Sequence, residues 1–422
     1  MKKSRAIGII VFCIMLLAGA EAFPAVKDSG YNGSIQKIRQ GNKIVAAQIL
    51  LFYAKTPGQL KNEIARMKLA GVNTLIVRVF QNRGDRPYPL TGLKRSKPGV
   101  YFNTAHAPVI YDLLGKVVAI AKPMGMKVFA WMTTRTCDWL PAAEDRGYEY
   151  DFSKKRIVRG NGLNIFSAFT ADYLSALYKD LAYYDIDGIL FQDDLVLRHN
   201  EGFSPVARMK YKNAYGHEPH PSNLYKNVYY SAAAHKYYVR KYTAEFRQWA
   251  KFKNDGIMHL TSKIMDSVHS VNPGIKFALN CYYEAALMPD KALLWLAQDL
   301  NNSKNYGFDY YSMMSYHDQI KKELDLTDEQ SINKVKTIAA NLLRIVGDPN
   351  KILMKVQIVD WDNGRMLKEA NLDKVMAGIE SVSRFNIALV PYRNNSVFFD
   401  MANKLGSDLD NRRLDRQRKG LN

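Results

Sequence analysis

The sequence predicts an α/β protein of the (β/α)8 TIM-barrel type, with decorated βα loops. Three observations carry that expectation. Eight apolar runs of strand length alternate with stretches that read as helices, over spacings that suit βα crossovers. Acidic, polar and aromatic residues collect just after the C-terminal ends of those runs, where barrels of this kind place their working groups. No internal repeat or low-complexity linker divides the 422 residues, and a composition that is 47% apolar suffices for one large core.

Residues 1–22 stand apart from that core. Lys2, Lys3 and Arg5 form a positive start, Ala6 to Ala18 an apolar run, and Ala20-Glu21-Ala22 a small-x-small cleavage site. This is the pattern of a signal peptide, too short for a membrane span, so the expected location is periplasmic or secreted. A retained N-terminal anchor is the alternative. Phe12, ahead of Cys13, is too bulky for a bacterial lipoprotein signal. Residues 23–42 read as a polar linker, 43–396 as the barrel, and 397–422 as a C-terminal helix and basic tail.

Within the barrel, Lys43 to Phe52 is the first strand. Thr56-Pro57 opens a helix that Gly71 stops. The second strand is Thr74 to Phe80, followed by a Pro-rich loop and a helix near Pro108 to Met124. Lys127 to Thr133 is the third strand, Thr170 to Tyr184 its helix, and Ile189 to Phe191 the fourth strand. A long insertion, Leu195 to Tyr229, leads into a helical region expected over Ser231 to Ser270, either whole or broken near Asn254-Asp255-Gly256. Strands five to eight are Lys276 to Tyr283, Asp309 to Tyr316, Ile352 to Val359 and Ile387 to Val390. The helices between them are Lys291 to Asn301, Ser331 to Ile345 and Leu372 to Phe385.

The strand ends gather the candidate site. Strand four closes on Asp193 and Asp194, two adjacent acids that alternate in facing and are costly to desolvate unless paired, hydrated or functional. Around them come Asp138 and Trp139 from strand three, and Tyr282, Tyr283 and Glu284 from strand five. His317 and Asp318 follow strand six; Asp360, Trp361 and Asp362 follow strand seven. Aromatic faces stack on sugar rings, carboxylates bind hydroxyl or amino groups, and two acidic groups can divide the work of glycosidic cleavage. Each residue also has a plainer reading: rim packing for Trp139 and Trp361, loop solvation for Asp360 and Asp362, a helix cap for Glu284, a satisfied polar group for His317. No Cys/His cluster has zinc spacing, and a metal held by Asp193, Asp194 and His317 has no supporting pattern, so neither metal nor cofactor is expected.

The formal charge of +20 favours anionic neighbours such as acidic polysaccharide or the envelope surface, and its densest cluster is the tail Arg412 to Lys419. Nucleic acid is a poor partner for an exported chain with no nucleic-acid motif. Cys137 and Cys281 lie far apart in sequence; they could pair in an oxidising compartment, but two buried thiols are expected.

The segment Asp187-Gly188-Ile189-Leu190-Phe191-Gln192-Asp193-Asp194 resembles the Asp-Gly-Ile-Leu-Phe-His-Asp-Asp signature of the C-terminal hydrolase domain of periplasmic poly-β-1,6-N-acetylglucosamine deacetylases. Val128 to Met132, Asn280 to Tyr283, Leu294 to Asp299 and Tyr310 to Tyr316 agree with it in order and spacing. The resemblance implies a (β/α)8 glycoside hydrolase acting inside partly de-N-acetylated chains of biofilm matrix, with its catalytic carboxylate in the Asp193–Asp194 pair. More loosely, the motif is similar to the strand-four signature of chitinase-like enzymes, whose last acidic position falls on Asp194 and which use the substrate acetamido group as nucleophile. Asp194 is accordingly expected as general acid and Asp193 as its electrostatic partner, with the reverse assignment open. Gln192 departs from the family's His, and the stretch ahead of the barrel reads as signal peptide and linker, so no deacetylase activity is expected of these residues.

The sequence thus points to an exported, endo-acting hydrolase of a hexosamine-containing exopolysaccharide. The alternative is a non-catalytic polysaccharide-binding barrel that assists export or retention of the polymer. Expected partners are the polysaccharide itself, with the export machinery or anionic envelope surface beside it.

Overall fold

The computed structural model describes residues 43–141 and 145–406; the expected signal peptide, the linker up to residue 42 and the basic tail after 406 lie outside the described residues. Eight strands form a closed, all-parallel ring. They are β1 (Val45–Ile49), β2 (Thr74–Arg78), β3 (Lys127–Met132), β4 (Gly188–Phe191), β5 (Lys276–Tyr282), β6 (Tyr310–Met314), β7 (Ile352–Gln357) and β8 (Asn386–Val390). Nearly every strand residue is buried, because the interior covers one face and helices the other. That is why the strands read as continuous apolar runs rather than alternating ones.

The outer layer holds α1 (Pro57–Leu69), α2 (Leu113–Ala121), α3 (Ala168–Lys179), α4 (Ala244–His269), α5 (Pro289–Leu296), α6 (Asp328–Val346) and α7 (Glu369–Glu380). Their starts follow local chemistry. Thr56 and Thr243 accept hydrogen bonds from the first turns of α1 and α4, and Thr327 with Gln330 forms a reciprocal cap on α6. Residues 396–406 are helical and bury Phe398, Met401 and Ala402 on the barrel, so this segment belongs to the core rather than to a tail. Gly71 and Gly406 make the contact tight: a Cβ on Gly71 would stand 2.8 Å from the Gly406 Cα.

The largest departure from the sequence reading follows β4. Residues 231–242 are not helical. Tyr225–Ser231 and Lys236–Tyr242 pair as an antiparallel hairpin, and α4 starts only at Ala244, then runs unbroken through Asn254-Asp255-Gly256. The preceding insertion also contains a helix, Pro205–Tyr215. A second hairpin, Arg146–Asp151 with Arg156–Leu163, rises from the connection after β3. Ring contacts join the two, with Phe152 at 5.0 Å from Tyr225 and 6.4 Å from Tyr237. Cys137 and Cys281 are both buried, unpaired thiols.

Candidate active site

The β4 signature divides into parts that build and a part left free. Asp187 accepts hydrogen bonds from the Val128 N–H at 2.8 Å and the Lys122 ammonium at 3.0 Å, tying the start of β4 to β3. Gly188 gives Phe129 its place: a Cβ there would fall 2.2 Å from the Phe129 ring. Ile189, Leu190 and Phe191 fill the core. Asp194 then takes five donors from one turn after β3. They are the hydroxyls of Thr133 (2.7 Å) and Thr134 (2.6 Å) and the N–H groups of Thr134 (3.0 Å), Arg135 (2.8 Å) and Thr136 (2.7 Å). A carboxylate so surrounded has its lone pairs committed to one turn. It works as a clamp between the ends of β3 and β4.

Asp193 faces the other way and is half-buried. Burial raises its pKa, the Lys355 ammonium pulls it back, and the Asp194 charge pushes it up again. Its backbone carbonyl accepts from the Tyr282 hydroxyl at 3.2 Å. Lys355 stands inside β7, 1% exposed, and donates to Asn280 Oδ1 at 3.1 Å while lying 5.7 Å from the Tyr316 ring centre. Burial brings its pKa down to about 8, with Asp193 and then Cys281 acting to raise it. The Tyr282 and Tyr316 hydroxyls are held well above their usual pKa, first by burial and next by the Asp193 charge. The candidate cluster at the mouth is therefore Asp193, Lys355, Asn280, Tyr282 and Tyr316. Lys355 had a signal in sequence: a lysine within the apolar run Ile352 to Val359.

The structure joins some expected site residues to this cluster and assigns others elsewhere. Trp361 packs edge-on against Tyr316, with ring centres 5.6 Å apart, and so extends the cluster outward. Asp318, Asp360 and Asp362 surround a single ammonium, Lys322, at 3.0, 2.6 and 2.7 Å. Burial alone would lower the pKa of Lys322; bonds to Asp360, Asp362 and Asp318 outweigh it and raise it. Three carboxylates on one cation leave this rim net negative. His317 is 3% exposed and kept neutral, burial bringing its pKa down to about 4.

Glu284 is 8% exposed, and burial raises its pKa to about 7 against the pull of its own backbone N–H, with Glu323 adding to the rise. Tyr283 turns to the same buried group, donating to Glu323 at 2.8 Å. On the β3 side, Asp138 accepts from the Arg83 N–H at 2.8 Å and staples two loops together. Trp139 donates to the Tyr173 hydroxyl at 2.6 Å, on the helical wall. Asp138, Trp139 and Tyr283 are thus engaged in holding loops and wall. Among the described residues no group of three or more His, Cys, Asp or Glu side chains is arranged to hold a metal. A hollow of about 510 Å3 opens beside Asn103, His106, Asp112, Asp180 and Tyr184, but none of the mouth residues lines it.

A closed parallel barrel with acids and aromatics gathered at the C-terminal mouth defines a TIM barrel with a candidate active site where such barrels place it. The chain belongs to the family described as hypothetical glycosyl hydrolase family 13, GHL13, which residues 54–389 match. It is 25% identical over 312 residues to the poly-β-1,6-N-acetyl-D-glucosamine N-deacetylase of Escherichia coli K12, a match covering 72% of this chain. The match spans 42% of that relative's length. Among solved structures, the PgaB (BpsB) glycoside hydrolase domain from Bordetella bronchiseptica superposes with a TM-score of 0.65 at 22% identity, over 87% of this chain and 97% of that one. The β-galactosidase of Marinomonas ef1 gives 0.59 at 10% identity, over 90% and 61% of the two chains. Both likenesses concern the fold.

Proposed function

We propose that this chain is an exported glycoside hydrolase that cleaves within partly de-N-acetylated poly-β-1,6-N-acetylglucosamine, with Asp193 as general acid. The observation carrying the assignment is the five-donor grip on Asp194. It commits the second acid to holding the mouth together and leaves the first, raised in pKa by burial, available to hold and give a proton. This exchanges the roles expected from the sequence. The polymer is suggested by the activity for which the Escherichia coli relative is named and by the net-negative rim around Lys322, which suits a chain bearing ammonium groups. Export is supported by the charged start and apolar run of residues 1–22.

In this reading the Asp193 carboxyl protonates the glycosidic oxygen as the C1–O bond breaks, and the oxocarbenium-like centre is met by a neighbouring acetamido oxygen or by water. Lys355 sets how readily the carboxyl releases its proton. Trp361, backed by Tyr316, supplies a face for a sugar ring.

The test is fragment analysis by mass spectrometry on matched oligomers, fully acetylated against partly de-acetylated. Faster internal cleavage of the partly de-acetylated set is expected. Asp193→Asn should lower turnover by at least about 100-fold with unchanged melting temperature. Asp194→Asn should instead melt earlier, because its amide points a donor at N–H groups that need an acceptor; a loss of about 3 kcal/mol is expected. Near-full hydrolysis by the Asp193 variant would sink the assignment. Binding of both oligomer sets with no cleavage at any pH would favour the polysaccharide-binding barrel.

A further inference from the structure

The hairpin Tyr225–Ser231/Lys236–Tyr242 has a composition that neither its fold nor the site explains. Residues 225–242 contain six tyrosines and four Lys or Arg residues, and no Asp or Glu. Its exposed surface is mainly aromatic and cationic: Tyr229, Tyr230 and Tyr237 are 37%, 50% and 38% exposed. The rings lie against one another across the strands, Tyr229 on Tyr238 at 5.6 Å and Tyr230 on Tyr237 at 5.1 Å, and the Arg240 guanidinium covers Tyr229 at 4.5 Å. Flat aromatic faces interleaved with cations are therefore presented to solvent.

One pairing is unfavourable as it stands. Lys226 and Lys241, both exposed, are directly opposed in the antiparallel register. Like charges in that position destabilise a strand pair, and an anion placed between them reverses the sign of the interaction.

The hairpin's origin says what kind of anion can reach it. It grows from the connection that begins Gln192-Asp193-Asp194, and its stem is tied back to that connection. Tyr225 donates to the His199 carbonyl at 2.8 Å, and Tyr242 meets His199 Nδ1 at 3.0 Å. The hairpin therefore stands on the same connection that carries the two acids.

We propose that this hairpin is an accessory binding surface for an acidic polysaccharide, a chain whose sugar rings stack on Tyr230 and Tyr237 while its carboxylates meet Lys226 and Lys241, all four on one face of the hairpin. The proposal goes beyond the hydrolase reading and rests on it only for the choice of a polysaccharide over other polyanions. It separates the two charge regimes of the molecule: the mouth is net negative around Lys322, and the hairpin is positive.

Affinity electrophoresis of the purified protein in gels containing polygalacturonate or neutral dextran tests this, with cleavage of partly de-acetylated oligomers measured separately. Wild type should be retarded by polygalacturonate and not by dextran. Lys226→Gln with Lys241→Gln should weaken retardation about tenfold and flatten its salt dependence. Its melting temperature should hold or rise, since the change removes the opposed charges. Adding Tyr230→Ser and Tyr237→Ser should abolish retardation, while oligomer cleavage stays within about twofold throughout, because none of these residues is in the mouth. Unchanged retardation of the two-lysine variant would overturn the proposal. So would retention by single-stranded DNA or phosphatidylglycerol vesicles without retention by polygalacturonate. Retardation that persists in a protein cleaving no oligomer would uphold the surface and count against the hydrolase reading.

Discussion

Lys355 and Glu284 are ionisable groups in places where burial opposes charge, and each makes pH a readout of the site. Lys355 favours the ionised form of Asp193. Lys355→Met removes that influence, so the Asp193 pKa should rise, and a general acid with a higher pKa stays protonated to higher pH. The alkaline limb of kcat/KM should move up by about one pH unit; an unmoved limb would detach Lys355 from the acid. Glu284 is held at about 7 against an ordinary 4.5. Its folded-state pKa is raised, so its contribution to stability is full below about 4.5 and is lost as pH rises towards 7. Glu284→Gln should flatten that decline, which reaches about 3 kcal/mol at most, in urea denaturation compared at pH 5 and pH 8. Sequence reasoning reached Asp193, Tyr282 and Trp361 because they follow strand ends. It passed over Lys355, since one cation among Ile, Leu, Met and Val reads as part of the strand until the ring closes around it.

Among the elements, the barrel strands were legible and the excursions between them were not. A strand buried on both faces announces itself as an apolar run whatever its neighbours. The stretch Ser231 to Tyr242 carries three alanines, which favour helix, and Tyr237, Tyr238, Val239 and Tyr242, which favour a strand. Cross-strand ring pairs decide in favour of the strand, and they are visible only once both halves of the hairpin are in place. Gly188 illustrates the opposite case, a residue whose reason is wholly spatial. Gly188→Ala would drive a methyl into the Phe129 ring at the foot of β4. We expect a loss of about 2 kcal/mol, recovered largely by adding Phe129→Leu; a neutral Gly188→Ala variant would show that β3 and β4 can part more easily than their packing suggests.

At the scale of the whole molecule, the C-terminal helix expected from residue 397 is packed into the fold rather than appended to it. The helix over 396–406 carries Phe398, Met401 and Ala402 into the core and meets the α1–β2 turn at Gly71. Ending the chain after residue 395 should therefore lower the melting temperature by about 5 °C or more, since several buried apolar side chains are lost at once. Ending it after 406 should leave that temperature unchanged. Calorimetry of the two truncations distinguishes a structural helix from an appendage. Composition could not place this boundary, because the basic run after Arg412 dominates the impression of the last twenty residues.

The two long hairpins are hydrogen-bonded within themselves and form sheets separate from the eight-stranded ring. The ring closes without their backbone. A lineage carrying this barrel can therefore lengthen or recharge the exposed ends of either hairpin by local insertion and deletion while their buried stems, with Leu163 and Tyr225, and the acid at the end of β4 stay where they are. Such a chain has its chemistry and its address on parts that can drift independently.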